Sequence, residues 1–259
     1  MTVNEVADAV IAAERSAGEL ILHAHHIMAE EKTDPRNVVT AYDRKVQQSM
    51  IEALSALIPE AHFFCEEMSH PDSLNVEHVF IIDPIDGTMN FVHGFGHSCI
   101  SCAYVRSGVP SAGVIYNPYR KELFSAVKGE GAFLNGRPIS APDLPLSQCV
   151  TCFGSSPYND ALMDRTFALL RKAHECSLDV RREGAAALDL CSVAAGRAGL
   201  FYELELSLWD YAAGAVIAQE AGARCCTATG EPLPYDGRKS SVLAGTPQSV
   251  NTFLEWKIV

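Results

Sequence analysis

The sequence predicts an α+β protein of stacked helix and sheet layers with no flexible linker, and three stretches of the chain carry that expectation. Residues 100–139 run in short alternating segments broken by the turn signals Tyr116-Asn117-Pro118, Lys128-Gly129-Glu130-Gly131 and Asn135-Gly136, the pattern of an antiparallel meander. After Pro145 strands and helices alternate: strands near 149–153, 178–181 and 200–203, and helices over about 160–174, 185–195 and 209–221. Ahead of the meander, apolar runs at 61–65 and 79–82 end in Glu66-Glu67 and in Asp83, as two buried strands with acids at their C-terminal ends. That is where α/β folds assemble their sites. With 259 residues the chain can bury a large core, and two halves, 1–144 and 145–259, are expected to pack as one unit.

The N-terminal elements follow from apolar spacing. From 6 to 28, Val6, Val10, Ile11, Ala17, Leu20, Ile21, Ala24, Ile27 and Met28 recur at three- and four-residue steps, which predicts an amphipathic helix lying as a lid or flank. His23, His25 and His26 have no carboxylate or cysteine partner in register and read as surface or packing residues. A polar loop over 30–37 precedes a second helix, marked by Val46, Met50, Ile51, Leu54, Leu57 and Ile58 and stopped by Pro59. Asp43 stands where its N-cap belongs.

Composition narrows the class. Hydrophobic residues at 48%, charged residues at 20% and a mean hydropathy of +0.06 describe a globular chain. The acidic start, Met1 to Asp8, does not read as a secretory signal, and no run nears the roughly 18 apolar residues of a membrane span, so a cytoplasmic protein away from membranes is expected. Nine cysteines, an odd number, favour reduced thiols. Cys99 and Cys102 lie three apart on a predicted strand, hence on opposite faces, and are read with Cys225-Cys226 as buried core thiols. A formal net charge of −12 argues against a nucleic-acid partner, whose phosphates need a basic face. An acidic protein that binds phosphate must neutralise it locally, and a cation held by carboxylates does that.

The densest chemical signal is Asp83-Pro84-Ile85-Asp86-Gly87-Thr88. Asp83, the Ile85 carbonyl and Asp86 are hard oxygen donors of the kind magnesium prefers, and Gly87-Thr88 opens a short segment whose free N–H groups can meet phosphate oxygens. A plain turn is the alternative, since Asp, Pro and Gly form turns unaided. Asp43, Glu66 and Asp210 add acids at other element ends, and several acids converging in a core call for a cation.

At these residues a family resemblance emerges. The segment Ile82-Asp83-Pro84-Ile85-Asp86-Gly87-Thr88-Met89-Asn90-Phe91 resembles the first signature of the inositol monophosphatase family. Leu208-Trp209-Asp210-Tyr211-Ala212-Ala213-Gly214, followed by Gln219-Glu220-Ala221-Gly222, resembles the second, and Val39 to Asp43 and Cys65-Glu66-Glu67 match in the family's order. The likeness runs from about residue 5 to 250. It implies a layered α/β/α/β/α sandwich of the sugar phosphatase type, shared with fructose-1,6-bisphosphatases, and a homodimer. It implies one magnesium on Glu66, Asp83 and the Ile85 carbonyl, a second on Asp83, Asp86 and Asp210, and often a third near Glu66, two to three ions per subunit. Thr88, Asp43 and Glu66 are implied as catalytic residues, with Thr88 paired to Asp43 to position the attacking water. Asp86, Gly87, Thr88, Gly184, Ala185, Ala186, Glu203, Asp210 and Lys32 are implied in substrate binding. Glu203 and Lys32, taken alone, read as surface charges.

The expected activity is Mg2+-dependent, lithium-sensitive hydrolysis of a small phosphate monoester, inositol-1-phosphate or a related polyol or sugar monophosphate, by metal-activated water. The segment Glu203-Leu204-Glu205-Leu206-Ser207-Leu208 departs from the motif of inositol-specific members, which leaves the alcohol open. Fructose-1,6-bisphosphatase and 3′(2′),5′-bisphosphate nucleotidase activities are the alternatives, and a regulatory or binding protein on the same scaffold is the non-catalytic one. A covalent aspartyl-phosphate is disfavoured, because no Asp-x-Asp stands at a strand end.

Overall fold

The chain folds as five layers, and the apolar pattern of each element decides which layer it joins. The computed structural model describes residues 1–68 and 72–258; residues 69–71, within the polar loop expected after Glu67, lie outside the described residues. Helix α1 (Val3–Leu22) opens with a Thr2/Glu5 capping box and buries Val6, Val10, Ala13, Ala17 and Ile21. It stops six residues short of the expected end at Met28. Ala24 and Ile27 still pack on the same core from the connecting turn, which is why the apolar spacing outlasts the helix.

Where a polar loop was expected over 30–37, strands β1 (Ala29–Asp34) and β2 (Asn37–Thr40) pair as an antiparallel hairpin. Helix α2 (Ala41–Leu57) follows, and its N-cap is Thr40; Asp43 sits three residues in, as the reciprocal half of a capping box. Next come β3 (His62–Cys65), β4 (His78–Asp86), the short helix α3 (Thr88–Val92), and the meander β5 (Cys99–Arg106), β6 (Val109–Asn117), β7 (Glu122–Val127), β8 (Ala132–Leu134) and β9 (Arg137–Ile139). The rest of the chain is β10 (Val150–Phe153), α4 (Met163–Cys176), β11 (Asp179–Arg181), α5 (Ala186–Ala194), β12 (Leu200–Leu206), α6 (Leu208–Glu220), β13 (Arg224–Cys226), β14 (Ser240–Gly245) and α7 (Pro247–Glu255). The sequence reading placed no element after 221, and β13, β14 and α7 are additions to it.

One sheet runs β3-β4-β5-β6-β7-β8-β9, parallel only at β3–β4; the other runs β11-β10-β12-β14-β13. Helices α1 and α2 cover the outer face of the first sheet, α5 and α6 lie between the sheets, and α4 and α7 cover the outer face of the second. This is the layered α/β/α/β/α sandwich. Cys99 belongs to the central core and Cys102 to the α1/α2 core, both buried and free, as alternation along a strand requires. Cys225 and Cys226 likewise face opposite sides of β13. Among the described residues no helix is long and apolar enough to cross a membrane.

The α6 helix packs directly on β6 at Gly113, where an added Cβ would lie 2.4 Å from the Ala213 carbonyl oxygen. Backbone, unlike a flexible side chain, cannot step aside. We therefore expect Gly113→Ala to cost about 1–3 kcal/mol of stability, read as a lower urea midpoint with an unchanged slope.

Candidate active site

The site begins with an irregularity in β4. From His78 opposite Arg106 to Asp83 opposite Ser101 the β4–β5 ladder is regular; it then slips, so that Asp86 lies opposite Cys99. Three residues of β4 advance against two of β5, with Pro84, which has no N–H for the ladder, inside the slip. Side chains three apart on a regular strand diverge. Here the surplus residue sends Ile85 into the α1/α2 core and returns Asp86 to the side of Asp83. Gly87 then turns the chain at φ 83°, a left-handed conformation that a side chain would strain, between the His97 and Gly184 carbonyls, 3.0 and 3.1 Å from a Cβ there.

The other acids arrive from four more elements. Glu66 follows β3 and takes an ion pair from Lys32 Nζ at 2.9 Å; Lys32 also bonds Glu67. Lys32 is thus not a simple surface charge. Burial alone would lower the Lys32 pKa, but the Glu66 charge, with the Glu67 bond behind it, pushes it up. Asp43 and Asp210 are the third residues of α2 and α6, and each uses one oxygen to close a capping box: Asp43 Oδ2 accepts from Thr40 N (2.8 Å) and Thr40 Oγ1 (2.6 Å), Asp210 Oδ2 from Ser207 N (2.7 Å). Capping and site duty coexist in both. The Thr88 hydroxyl has Asp43 Oδ1 at 3.4 Å and the Ile85 carbonyl at 3.1 Å as acceptors.

The cavity is also lined by Gly184, Ala185 and Ala186, leading into α5, whose Ala187 N–H donates to Asp86 Oδ2 at 2.7 Å. Glu203, on β12, is only 7% exposed, which corrects its reading as a surface charge: it faces the cavity and accepts from Ser156 N at 2.8 Å. Together these walls enclose about 510 Å³. Every expected site residue lines this cavity except Asp43, which lies fully buried behind Thr88.

Crowding acids in a dry place shifts their protonation. Asp83 is raised well above the usual carboxylate range, first by burial and then by the charges of Glu66, Asp86 and Asp210. Asp210 is raised by desolvation and by Glu66 and Asp86. Burial pushes Asp86 up to about 7 against the backbone bond from Ala187, and burial pushes Glu203 up to about 7 against the bond from Ser156. Asp43 is raised too, by burial, although Thr40 opposes it.

The donor set fits a hard divalent cation: carboxylates and a carbonyl, with no thiolate or imidazole, and mutual repulsion that such an ion relieves. Asp86 and Asp210 each give one oxygen to a backbone N–H and Asp83 one to Ile85 N (3.0 Å), which fixes their orientation. Among the described residues no three His, Cys, Asp or Glu side chains already stand as a closed cage, so side-chain rotation accompanies any binding.

Sequence reasoning missed two acids of this region. Glu67 shares Lys32 with Glu66. Asp189, 2% exposed on α5, lines the cavity with its Oδ1 unpartnered and its pKa raised well up by burial. Its signal was available, as a lone acid inside the apolar run Ala185 to Ala195.

Residues 2–255 match the Inositol monophosphatase family. Inositol monophosphatase 2 of Solanum lycopersicum is 36% identical over 249 residues, 92% of each chain. Nus factor SuhB of Pseudomonas aeruginosa is 35% identical over 250 residues, 93% of this chain and 92% of its own. Among solved structures, extragenic suppressor protein suhB from Bartonella henselae superposes with a TM-score of 0.89 at 32% identity over 97% of both chains. An IMPase/NADP phosphatase complexed with Mg2+ and phosphate superposes with 0.84 at 26% identity, covering 97% of this chain and 93% of its own. A match that takes in every acid of the cavity, on a fold shared end to end, makes the chain a member of the inositol monophosphatase family.

Proposed function

We propose that this protein is a Mg2+-dependent phosphatase acting on a small polyol or sugar phosphate monoester. The observation that carries the reading is the meeting of Glu66, Asp83, Asp86 and Asp210 in the lining of one cavity, together with the buried acceptor Glu203. Glu66, Asp83 and the Ile85 carbonyl would hold one Mg2+, and Asp83, Asp86 and Asp210 a second; family likeness adds a third near Glu66. Bound there, the ions neutralise the transferring phosphoryl group and raise the acidity of water. Gly87 and Thr88 face the phosphate. The Thr88 hydroxyl, with Asp43 as its acceptor, presents a lone pair to the attacking water and orients it in line with the leaving alcohol. Gly184, Ala185 and Ala186 and the Glu203 carboxyl receive the alcohol's hydroxyls, and Lys32 supplies positive charge beside Glu66.

The test is phosphate release from inositol-1-phosphate, fructose-1,6-bisphosphate, 3′-phosphoadenosine phosphate and histidinol phosphate, with Mg2+ titrated and lithium added. We expect Mg2+-dependent, lithium-inhibited turnover of a polyol or sugar monophosphate at least tenfold above the nucleotide. Best turnover of either bisphosphate moves the assignment to that activity. A second reading, a regulatory protein on the same scaffold, draws on the similarity to proteins named Nus factor. It predicts no phosphate release from any ester.

A further inference from the structure

We infer that Asn90 is a positioning residue that fixes the phosphate-facing turn against the segment receiving the alcohol, an inference resting on the phosphatase reading of the cavity. Asn90, on α3, donates from Nδ2 to the His97 carbonyl and to the Glu183 carbonyl, at 2.8 Å each. Two carbonyls can only accept, so the amide is oriented with its NH2 group toward both. The acceptors belong to segments far apart in the chain. One is the turn after α3, which Phe95 N pins to the Asn90 carbonyl (2.9 Å) and Ser98 Oγ to the Gly87 carbonyl (3.0 Å). The other runs directly into Gly184, Ala185 and Ala186.

Gly87 lies between these segments, against a carbonyl from each. His97 and Glu183 also approach through their side chains, at 3.0 Å, but the His97 Nε2 makes no aligned hydrogen bond, and burial lowers the pKa of that imidazole and so weakens the pair. The aligned, charge-independent tie is the Asn90 amide. Cutting it leaves the alcohol-facing segment held at its far end by the Ala187–Asp86 bond and loose at Glu183, so that end shifts relative to Gly87 and Thr88 while the acids stay in place.

Asn90→Asp keeps the shape and sets an acceptor against two acceptors; Asn90→Ser leaves room for a bridging water. For the polyol or sugar ester that the wild type turns over best, we expect Asn90→Asp to raise KM about tenfold, the scale of two lost buried hydrogen bonds. Asn90→Ser falls between. For p-nitrophenyl phosphate, and for inhibition by inorganic phosphate, both variants stay within about twofold, since these probes engage the phosphate side alone. Amide exchange should quicken over 183–187 and 95–98 and stay unchanged in α1. Equal losses on both esters, or unchanged exchange at 183–187 in Asn90→Asp, overturn the inference. A wild type that hydrolyses neither ester overturns the phosphatase reading, and the exchange result then decides the Asn90 tie by itself.

Discussion

Asp83→Asn is expected to lower Mg2+-dependent phosphate release by about 10²–10³-fold, the scale of removing one preorganised electrostatic group from a site, while making the metal-free protein more stable than wild type. Asparagine is nearly isosteric and keeps an oxygen for the Ile85 N–H, so the change is one of charge. That charge is the one held against Glu66, Asp86 and Asp210 in a buried position, and its ionisation works against folding when no cation is present. The stabilisation that Mg2+ gives wild type, about 2.7 kcal/mol at a hundredfold excess over Kd, should shrink in the variant. Steady-state kinetics and thermal melts with and without Mg2+ check both halves. Full Mg2+-dependent turnover in Asp83→Asn removes Asp83 from its assigned place.

Chelator-treated protein should lose stability as the pH rises from about 5 to 8, the reverse of ordinary acid denaturation. Asp86 and Glu203 are raised from 3.8 and 4.5 to about 7. Between those values the folded chain binds protons that the unfolded chain has released, so the slope of stability with pH is negative. The contribution is fully present below the unfolded pKa values and is lost as the pH passes through about 7. A few kcal/mol is at stake at roughly 1.4 kcal/mol per pKa unit, or about 5–10 °C in melting temperature for a chain of this size. Mg2+ should restore most of the loss at pH 8 and little at pH 5, because protonated carboxyls bind it poorly. A melting temperature that climbs from pH 5 to 8 without metal contradicts the picture of crowded, neutral acids.

The strands and helices that were legible in the sequence are those whose buried faces repeat. The period of two put Cys99 and Cys102 on opposite faces of β5, and the spacing of α1 and α2 marked their core. The β1–β2 hairpin left no such trace, because Ala-Glu-Glu-Lys-Thr-Asp has no apolar face to alternate and the hairpin rests on backbone pairing. Asp43 passed for a cap because it is part of one; the Thr40 three residues before it was the sign that its second oxygen could serve elsewhere. Glu203 is harder, since a lone charge means burial only if both faces of its strand are covered. Leu200, Tyr202 and Leu204 on one face and Phe201 and Leu206 on the other were the clue. Arg182, which lines the cavity beside Glu203, carries no local signal at all.

The slip between β4 and β5 lets two acids three apart in the chain share one face of the sheet across a bend. Removing one residue at Pro84 or Ile85 would let the ladder close in frame, with Asp83 and Asp86 two apart, still opposite Ser101 and Cys99 and still on one face. What such a deletion takes away is the bend between the two carboxylates, and with it the aim of the carbonyl that accepts from the Thr88 hydroxyl. Single substitutions along this segment change one donor at a time. A single deletion would keep both acids on their face and change the aim of every donor between them, so the surplus residue sets where the oxygens converge.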